Sequence, residues 1–194
     1  MMLKEEPMTY DKNGNATGYV VWMTGLSGSG KTTIALILEE KLKERDLKVE
    51  RLDGDVVRES LTRDLGFTAE DRRKNIERVT FVAKLLSRNG VGTICSFISP
   101  YQSVRDHVRE NTTNFLEVYI DAPLDVVMER DVKGLYKKAL AGEIPNFTGI
   151  SDPFEAPENP DIHIRTDLNS PEECVGQVLQ ELERLGYIPV AEKA

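Results

Sequence analysis

The 194-residue chain is short of several things, and each shortage closes off a class of protein. It has two cysteines, Cys95 and Cys174, too few for a disulfide framework and in keeping with a reducing cytoplasm. It has two histidines, isolated from each other and from the cysteines in sequence, which outlines no metal site. His107 lies on a charged helical stretch and is expected at the surface; His163 lies on a late strand, in core or on surface. Positive charge is in deficit. There are 25 Lys and Arg against 33 Asp and Glu, a net charge of −8, which argues against a general nucleic-acid binder. No apolar run approaches the roughly 20 residues that cross a membrane. Met1 to Asn15 has no apolar middle of the kind a signal peptide needs. Residues 1–18 are therefore expected as a flexible leader, with an N-terminal helix or dimer arm as the alternative. There is no internal repeat and no low-complexity linker. What is left has the size of one domain, 19–194, long enough to bury a core.

Strand and helix signals alternate, which implies an α/β sheet. Tyr19–Thr24 is a short apolar run that leads into a glycine-rich loop, Gly25–Thr32. Ile34, Leu38 and Leu42 recur at helical spacing behind it. Lys48–Leu52 reads as a second strand, Val91–Phe97 as a third, Phe115–Ile120 as a fourth and Ile162–Arg165 as a last. A helix is expected from Val56 to about Asp64, broken by Gly66-Phe67. Thr68, with Asp71 three residues on, resembles a capping box, and that helix stops at Asn89-Gly90. Pro123 suits the first position of a further helix, and Ser170-Pro171-Glu172-Glu173 starts the terminal one. The stretch 133–160, rich in Gly, Pro and charge, reads as an ordered lid rather than core.

Gly25-Leu26-Ser27-Gly28-Ser29-Gly30-Lys31-Thr32 matches G-x-x-x-x-G-K-[ST] at every fixed position. The glycines let the backbone curl so that several N–H groups point at phosphate oxygens. The helix start adds the positive end of its dipole. Lys31 would reach the β- and γ-phosphates, and the Thr32 hydroxyl would serve Mg²⁺. The bland alternative, a flexible glycine loop, does not account for a strand before it and an amphipathic helix after it. The motif predicts a P-loop NTPase and leaves the reaction open among small-molecule kinase, GTPase and motor ATPase. The chain lacks an N-K-x-D base-reading motif, which disfavours a GTPase. The size and the 133–160 lid favour the nucleotide-kinase type, in which a lid excludes water. The fold expected is a doubly wound parallel sheet flanked by helices, with that lid.

Asp53-Gly54-Asp55 ends the second strand, where a doubly wound sheet faces its ligand crevice. These carboxylates either organise Mg²⁺ waters and an acceptor hydroxyl or simply make a turn and helix cap. Arg58, Arg63, Arg72, Arg73, Lys74 and Arg78 crowd one region. Arginine suits bidentate phosphate or sulfate recognition, and a solvated helix face is the reading for Arg63, Arg73, Lys74 and Arg78. Trp22 is read as packing in the first strand. Tyr136, Lys137 and Lys138 either touch phosphates from the lid or line a solvated face. Arg130, at the start of the lid, is a candidate for neutralising the transferring phosphate.

Longer runs carry a resemblance: L-D-G-D-x-x-R at 52–58, G-F-x-x-x-D-R-x-x-N-I at 66–76, V-A-K-L-L at 82–86, S-F-I-S-P-Y at 96–101, V-Y-I-D-A-P at 118–123, R-D-V-K-G-L-Y-K-K-A at 130–139 and G-E-I-P-N-F-T-G-I at 142–150. With the glycine loop, they make the chain resemble the adenylylsulfate kinase family over about Tyr19 to Pro189. The resemblance implies transfer of the γ-phosphate of ATP to the 3′-hydroxyl of adenylyl sulfate, with Mg²⁺, giving 3′-phosphoadenylyl sulfate and ADP. It implies that Gly25, Ser27, Gly28, Ser29, Gly30, Lys31, Thr32 and Thr33 hold the donor, with Thr32 and Asp53 at the metal. Phe67 and Phe147 would sandwich the acceptor's adenine. Arg58, Arg72 and Asn75 would hold its phosphosulfate and ribose, with Asp55, Ile98, Ser99, Lys133 and Asn146 beside it. Lys31, Asp55, Ser99 and Arg130 would carry the chemistry, with Asp55 accepting the hydroxyl proton. Ser99 is read as orienting substrate or capping before Pro100, since in-line transfer needs no covalent intermediate. The chain departs from the family pattern at Val56, where Asn is usual, and at Pro145. A homodimer, a separate ATP sulfurylase to supply adenylyl sulfate, and cytoplasmic sulfate assimilation are also implied. The rival readings are a kinase for another small acceptor and a non-catalytic nucleotide-binding module.

Overall fold

The computed structural model describes residues 18–191, so the expected leader falls outside the described residues except for Gly18. Five strands, β1 (Val20–Thr24), β2 (Val49–Asp53), β3 (Gly92–Ser96), β4 (Phe115–Asp121) and β5 (Ile162–Arg165), form one sheet. The order is β2-β3-β1-β4-β5 and every pairing is parallel. The chain leaves β1 toward one edge and returns to build the other side from β4. That reversal puts the C-terminal end of β1 at the crevice of a doubly wound sheet.

Alternation along β1 decides the two faces. Val21 and Met23 meet α1 (Lys31–Lys43) and the last helix, while Val20 and Trp22 meet the long helix on the other side. On the first face Ile34, Leu38 and Leu42 of α1 pack with Cys174, Val178 and Leu182 of α7 (Pro171–Arg184). α2 (Gly54–Glu59), α3 (Ala69–Ser87) and α4 (Gln102–Asn111) bring Val57, Ile76, Val79, Val104 and Val108 to the second face. A third cluster joins α5 (Leu124–Arg130), α6 (Leu135–Leu140) and the turn around Phe147.

The caps follow sequence. Thr68 Oγ1 accepts from the Asp71 N–H at 3.1 Å, and Ser170 with Glu173 closes a full capping box. Trp22 is buried and stacked on Phe97 at 5.4 Å, as packing predicts.

Four expectations need correction. The helix after β2 stops at Glu59, not near Asp64, because the Ser60 and Thr62 N–H groups both turn back onto the Val57 carbonyl. Pro123 stands one place earlier than expected, as the N-cap of α5, its carbonyl taking the Val127 N–H. His107 is half-buried, paired with the Asn111 amide rather than bathed in solvent. The 133–160 stretch is not simply outside the core: it holds α6 and buries Tyr136, Ala139, Phe147 and Thr148.

Leu38 is fully buried between α1 and the sheet. Leu38→Ala should destabilise the protein by about 2–5 kcal/mol through lost transfer energy and a residual cavity. The denaturant midpoint measures this; a midpoint unchanged from wild type contradicts the packing described.

Candidate active site

The phosphate loop follows β1 and is shaped by three glycines with positive φ: Gly25 at 149°, Gly28 at 76° and Gly30 at 104°. Gly25 also has no room for a side chain. A Cβ on Gly25 would lie 2.1 Å from the Ile120 carbonyl, and one on Gly28 would touch Val127. The loop then opens α1, whose N-cap is Gly30. Ser29 Oγ is buried without a protein partner, an orphaned donor of the kind a phosphate oxygen satisfies.

Lys31 is folded back onto the loop. Its Nζ donates to the carbonyls of Gly25 at 2.9 Å and Leu26 at 2.7 Å. Burial drops its pKa to about 7, with Lys133 adding to the fall and Asp53 and Asp55 opposing it. The ammonium is thus easily neutralised until an anion arrives.

Behind it stands a knot of oxygen donors. The Thr32 hydroxyl donates to Asp53 Oδ2 at 3.0 Å and the Ser96 hydroxyl to the same oxygen at 2.9 Å. Asp53 Oδ1 accepts the Asp55 N–H at 3.0 Å. Burial pushes the Asp53 pKa up, but these donors, together with Arg51, hold it below the usual value. Among the described residues no cluster of three or more His, Cys, Asp or Glu forms a metal cage. The set fits Mg²⁺, which takes oxygen, keeps waters and leans on phosphates for the rest of its shell.

The loop after β3 bends sharply at Ser99, φ 44°. The Thr24 hydroxyl donates to the Ile98 carbonyl at 2.7 Å, and the Trp22 indole N–H to Ser99 Oγ at 3.1 Å. Ser99 is therefore buried and its hydroxyl is already engaged. Its carbonyl takes Nη1 of Arg105 at 2.8 Å.

The other residues expected at the acceptor come from α2, the turn before α3, α3 itself and the 133–160 stretch. Phe67 is 56% exposed, and the Arg58 guanidinium lies over its ring at 4.3 Å. Arg72 donates to the Phe67 carbonyl at 3.0 Å and the Asn146 carbonyl at 2.7 Å, tying α3 to the lid. Asn75 is buried and accepts the Thr62 hydroxyl at 2.7 Å. Phe147 is buried edge-on against Tyr136, with ring centroids 5.0 Å apart. Lys133 forms an ion pair with Asp55 across the crevice. Arg130 donates to the Thr166 hydroxyl at 3.0 Å and carbonyl at 2.9 Å, with the Gly28 carbonyl at 3.4 Å.

Three participants escape sequence reasoning. Arg105 is fully buried; besides Ser99 it reaches the Glu155 carbonyl at 2.7 Å and lies 3.1 Å from Glu117 Oε1, an ion pair. Glu117 is buried in the middle of β4. A charge inside an apolar strand run is a signal for a buried partner, but nothing in sequence names Arg105. Thr166, after β5, donates to the Ser29 carbonyl at 2.8 Å and looks like any loop threonine in sequence. Tyr136, placed by sequence at phosphates or on a solvated face, is buried rather than solvated, and its hydroxyl holds the Ser27 carbonyl of the phosphate loop at 2.9 Å.

Adding a triphosphate beside Lys31 favours its charged form. Above its free pKa of about 7 the lysine must then gain a proton on binding; below it, the proton is already there. Nucleotide binding at about pH 8 should take up close to one proton more in wild type than in Lys31→Met, and at about pH 6 the two should match. Titration calorimetry in buffers of different ionisation enthalpy reads this; equal uptake by both proteins at the higher pH contradicts it.

The sequence pattern of the adenylylsulphate kinase family matches residues 17–165. A probable adenylyl-sulfate kinase of Pseudomonas aeruginosa is 67% identical over 163 residues, 84% of this chain and 76% of that protein. An adenylyl-sulfate kinase of Halothermothrix orenii is 58% identical over 178 residues, covering 92% of this chain and 96% of its own. Among solved structures, the APS kinase CysC of Mycobacterium tuberculosis, in complex with AMPPNP and APS, superposes with a TM-score of 0.84 at 43% identity. That match covers 86% of this chain and 98% of the other. With a complete phosphate loop at a doubly wound crevice and matches of this extent, the chain belongs to the adenylylsulphate kinase family.

Proposed function

We propose that the protein transfers the γ-phosphate of ATP to the 3′-hydroxyl of adenylyl sulfate, releasing ADP and 3′-phosphoadenylyl sulfate. The observation that carries this reading is a complete phosphate loop opening α1 together with an exposed aromatic, Phe67, flanked by Arg58 and Arg72. The chain's own groups suit in-line transfer, where positioning and charge neutralisation do the catalysis.

Gly25, Ser27, Gly28, Ser29, Gly30, Thr32 and Thr33 line the donor's phosphates. Lys31 leaves the Gly25 and Leu26 carbonyls for the β- and γ-oxygens. Thr32 and Asp53 would hold Mg²⁺, which would supply charge neutralisation on the triphosphate. Asp55 parts from Lys133 to orient the 3′-hydroxyl and take its proton, and Lys133 turns to the acceptor. Arg58 vacates the Phe67 ring, so that the base stacks there with Phe147 on its other side. Arg58 and Arg72 then face the phosphosulfate, with Asn75 and Asn146 beside them. Ser99 and Ile98 act through backbone placement, with Ser99 Oγ held as acceptor of the Trp22 indole N–H. Arg130 swings from Thr166 toward the transferring phosphate. The 133–160 lid closes over the site and keeps water out.

No helix among the described residues is long and apolar enough to cross a membrane. The setting proposed is the cytoplasm, in sulfate assimilation, as a homodimer that receives adenylyl sulfate from a separate ATP sulfurylase.

Incubation with Mg-ATP and adenylyl sulfate, beside tubes holding AMP, CMP or gluconate, tests the reading by chromatography. Equal amounts of 3′-phosphoadenylyl sulfate and ADP should form in the first tube alone. Phosphorylation of another acceptor instead would overturn the assignment and point to Val56, exposed on α2 where the family pattern has Asn.

Phe67 is largely exposed, so its truncation does not disturb the core. Phe67→Ala should raise KM for adenylyl sulfate about tenfold or more, the scale of one lost base–aromatic stack. KM for ATP and the melting temperature should stay near wild type. A parallel rise in both KM values would show that Phe67 is not an acceptor platform.

A further inference from the structure

Tyr136 is among the largest fully buried side chains of the described residues, although its neighbours in sequence include Lys133, Lys137 and Lys138. Its two ends serve different walls of the crevice. The hydroxyl donates to the Ser27 carbonyl, in the phosphate loop, at 2.9 Å. The ring meets Phe147 edge-on, at 79° and 5.0 Å between centroids. Burial raises the phenol pKa to about 12, with Asp131 adding to the rise, so the hydroxyl keeps its proton and remains a donor. Its backbone is pinned too. The N–H groups of Tyr136 and Lys137 donate to the two oxygens of Asp131 at 3.0 and 3.2 Å, which caps the start of α6.

A second link runs in parallel. Leu26, also of the phosphate loop, packs into the cluster that holds Tyr136 and Phe147. Gly149, two residues past Phe147, has φ 89°, and a Cβ there would approach Leu26 Cδ2 to 3.0 Å. The phosphate loop and the turn that carries Phe147 are thus in direct contact through packed side chains, and the part-buried hydrogen bond from Tyr136 ties α6 to the same loop.

We propose that Tyr136 is a positioning residue that couples the two substrate sites: through Ser27 and Phe147 it makes the shape of the phosphate loop and the placement of the acceptor platform interdependent. The proposal rests on the reading of Phe147 as that platform. When the donor's phosphates settle the loop, Tyr136 transmits the change to Phe147 and the acceptor binds more tightly. Linkage requires the converse by the same factor.

The test measures the Kd of adenylyl sulfate for the full-length protein, with and without saturating Mg-AMPPNP, by calorimetry. Wild type should show tighter acceptor binding with the nucleotide by about fivefold or more, the usual range of such coupling. Tyr136→Phe removes the hydroxyl and keeps the ring on Phe147; its factor should fall at least about twofold below that of wild type, the Leu26 link keeping the remainder, with acceptor affinity in the absence of nucleotide little changed. A purely structural role would lower the melting temperature and leave the factor intact. Should Tyr136→Phe not yield folded protein, Leu26→Ala, which withdraws the other link, is read in the same way. A wild-type factor of one, or an unchanged factor in the variant, overturns the proposal. Phe147→Leu separates the two readings. If it leaves acceptor affinity intact, Phe147 is no platform and the reading beneath falls; if it weakens the acceptor while Tyr136→Phe keeps the factor, only the coupling falls.

Discussion

The seat of the phosphate loop at the C-terminal end of β1 constrains everything around it. β1 lies between β3 and β4, so its end is walled by both neighbours. The Gly25 N–H meets the Ile98 carbonyl at 3.4 Å on the β3 side, and its α-carbon faces the Ile120 carbonyl on the β4 side. A side chain at Gly25 would have to displace a strand. The loop can therefore curl only one way, and its donors face the crevice because the sheet leaves them no other direction.

That seat also decides how the protein handles its own cations before substrates arrive. A buried or half-buried charge without a partner is costly. Here Lys31 bonds to two loop carbonyls, Lys133 to Asp55, Arg130 to Thr166, and Arg58 lies on the Phe67 ring. Each contact satisfies a group that the proposed reaction needs elsewhere. Substrate binding then exchanges one set of partners for another, so its net gain is the difference between the two sets. The exposed Lys133–Asp55 pair is a weak one to break, whereas in the proposed reaction Lys31 would surrender two short hydrogen bonds for phosphates that favour its charged form.

The buried Arg105–Glu117 pair does its work at a distance from solvent. Removing either partner would strand a charge inside the sheet's second face, a loss far larger than that of a surface pair. Through the Ser99 and Glu155 carbonyls, Arg105 joins the sharp bend after β3 to the return of the lid. With Tyr101, whose hydroxyl reaches Asp152 at 2.9 Å, it sets the lid's second stem. Tyr136 sets the first.

Much of this was legible in sequence, because the loop motif, the caps and the alternation along strands are local. A glycine at positive φ, a threonine capping three residues on and a run such as V-V-W-M-T each dictate their own neighbourhood. Local chemistry also placed Lys31, Thr32 and Asp53 near one another, since strand ends in such a sheet share a crevice. The long-range pairs were not legible. Glu117 is a charge inside an apolar strand run, but nothing in the sequence names Arg105 as its partner, and their joint burial depends on how α4 packs against the sheet. Tyr136 on Ser27, and Thr166 on Ser29, span more than a hundred residues. The sequence by itself determined the fold class, the donor's loop and the family, since those rest on residue type at fixed spacing. The tertiary structure decided which charges are buried together and how the lid is stitched to the loop, because burial is a property of the packed surfaces and not of any one segment.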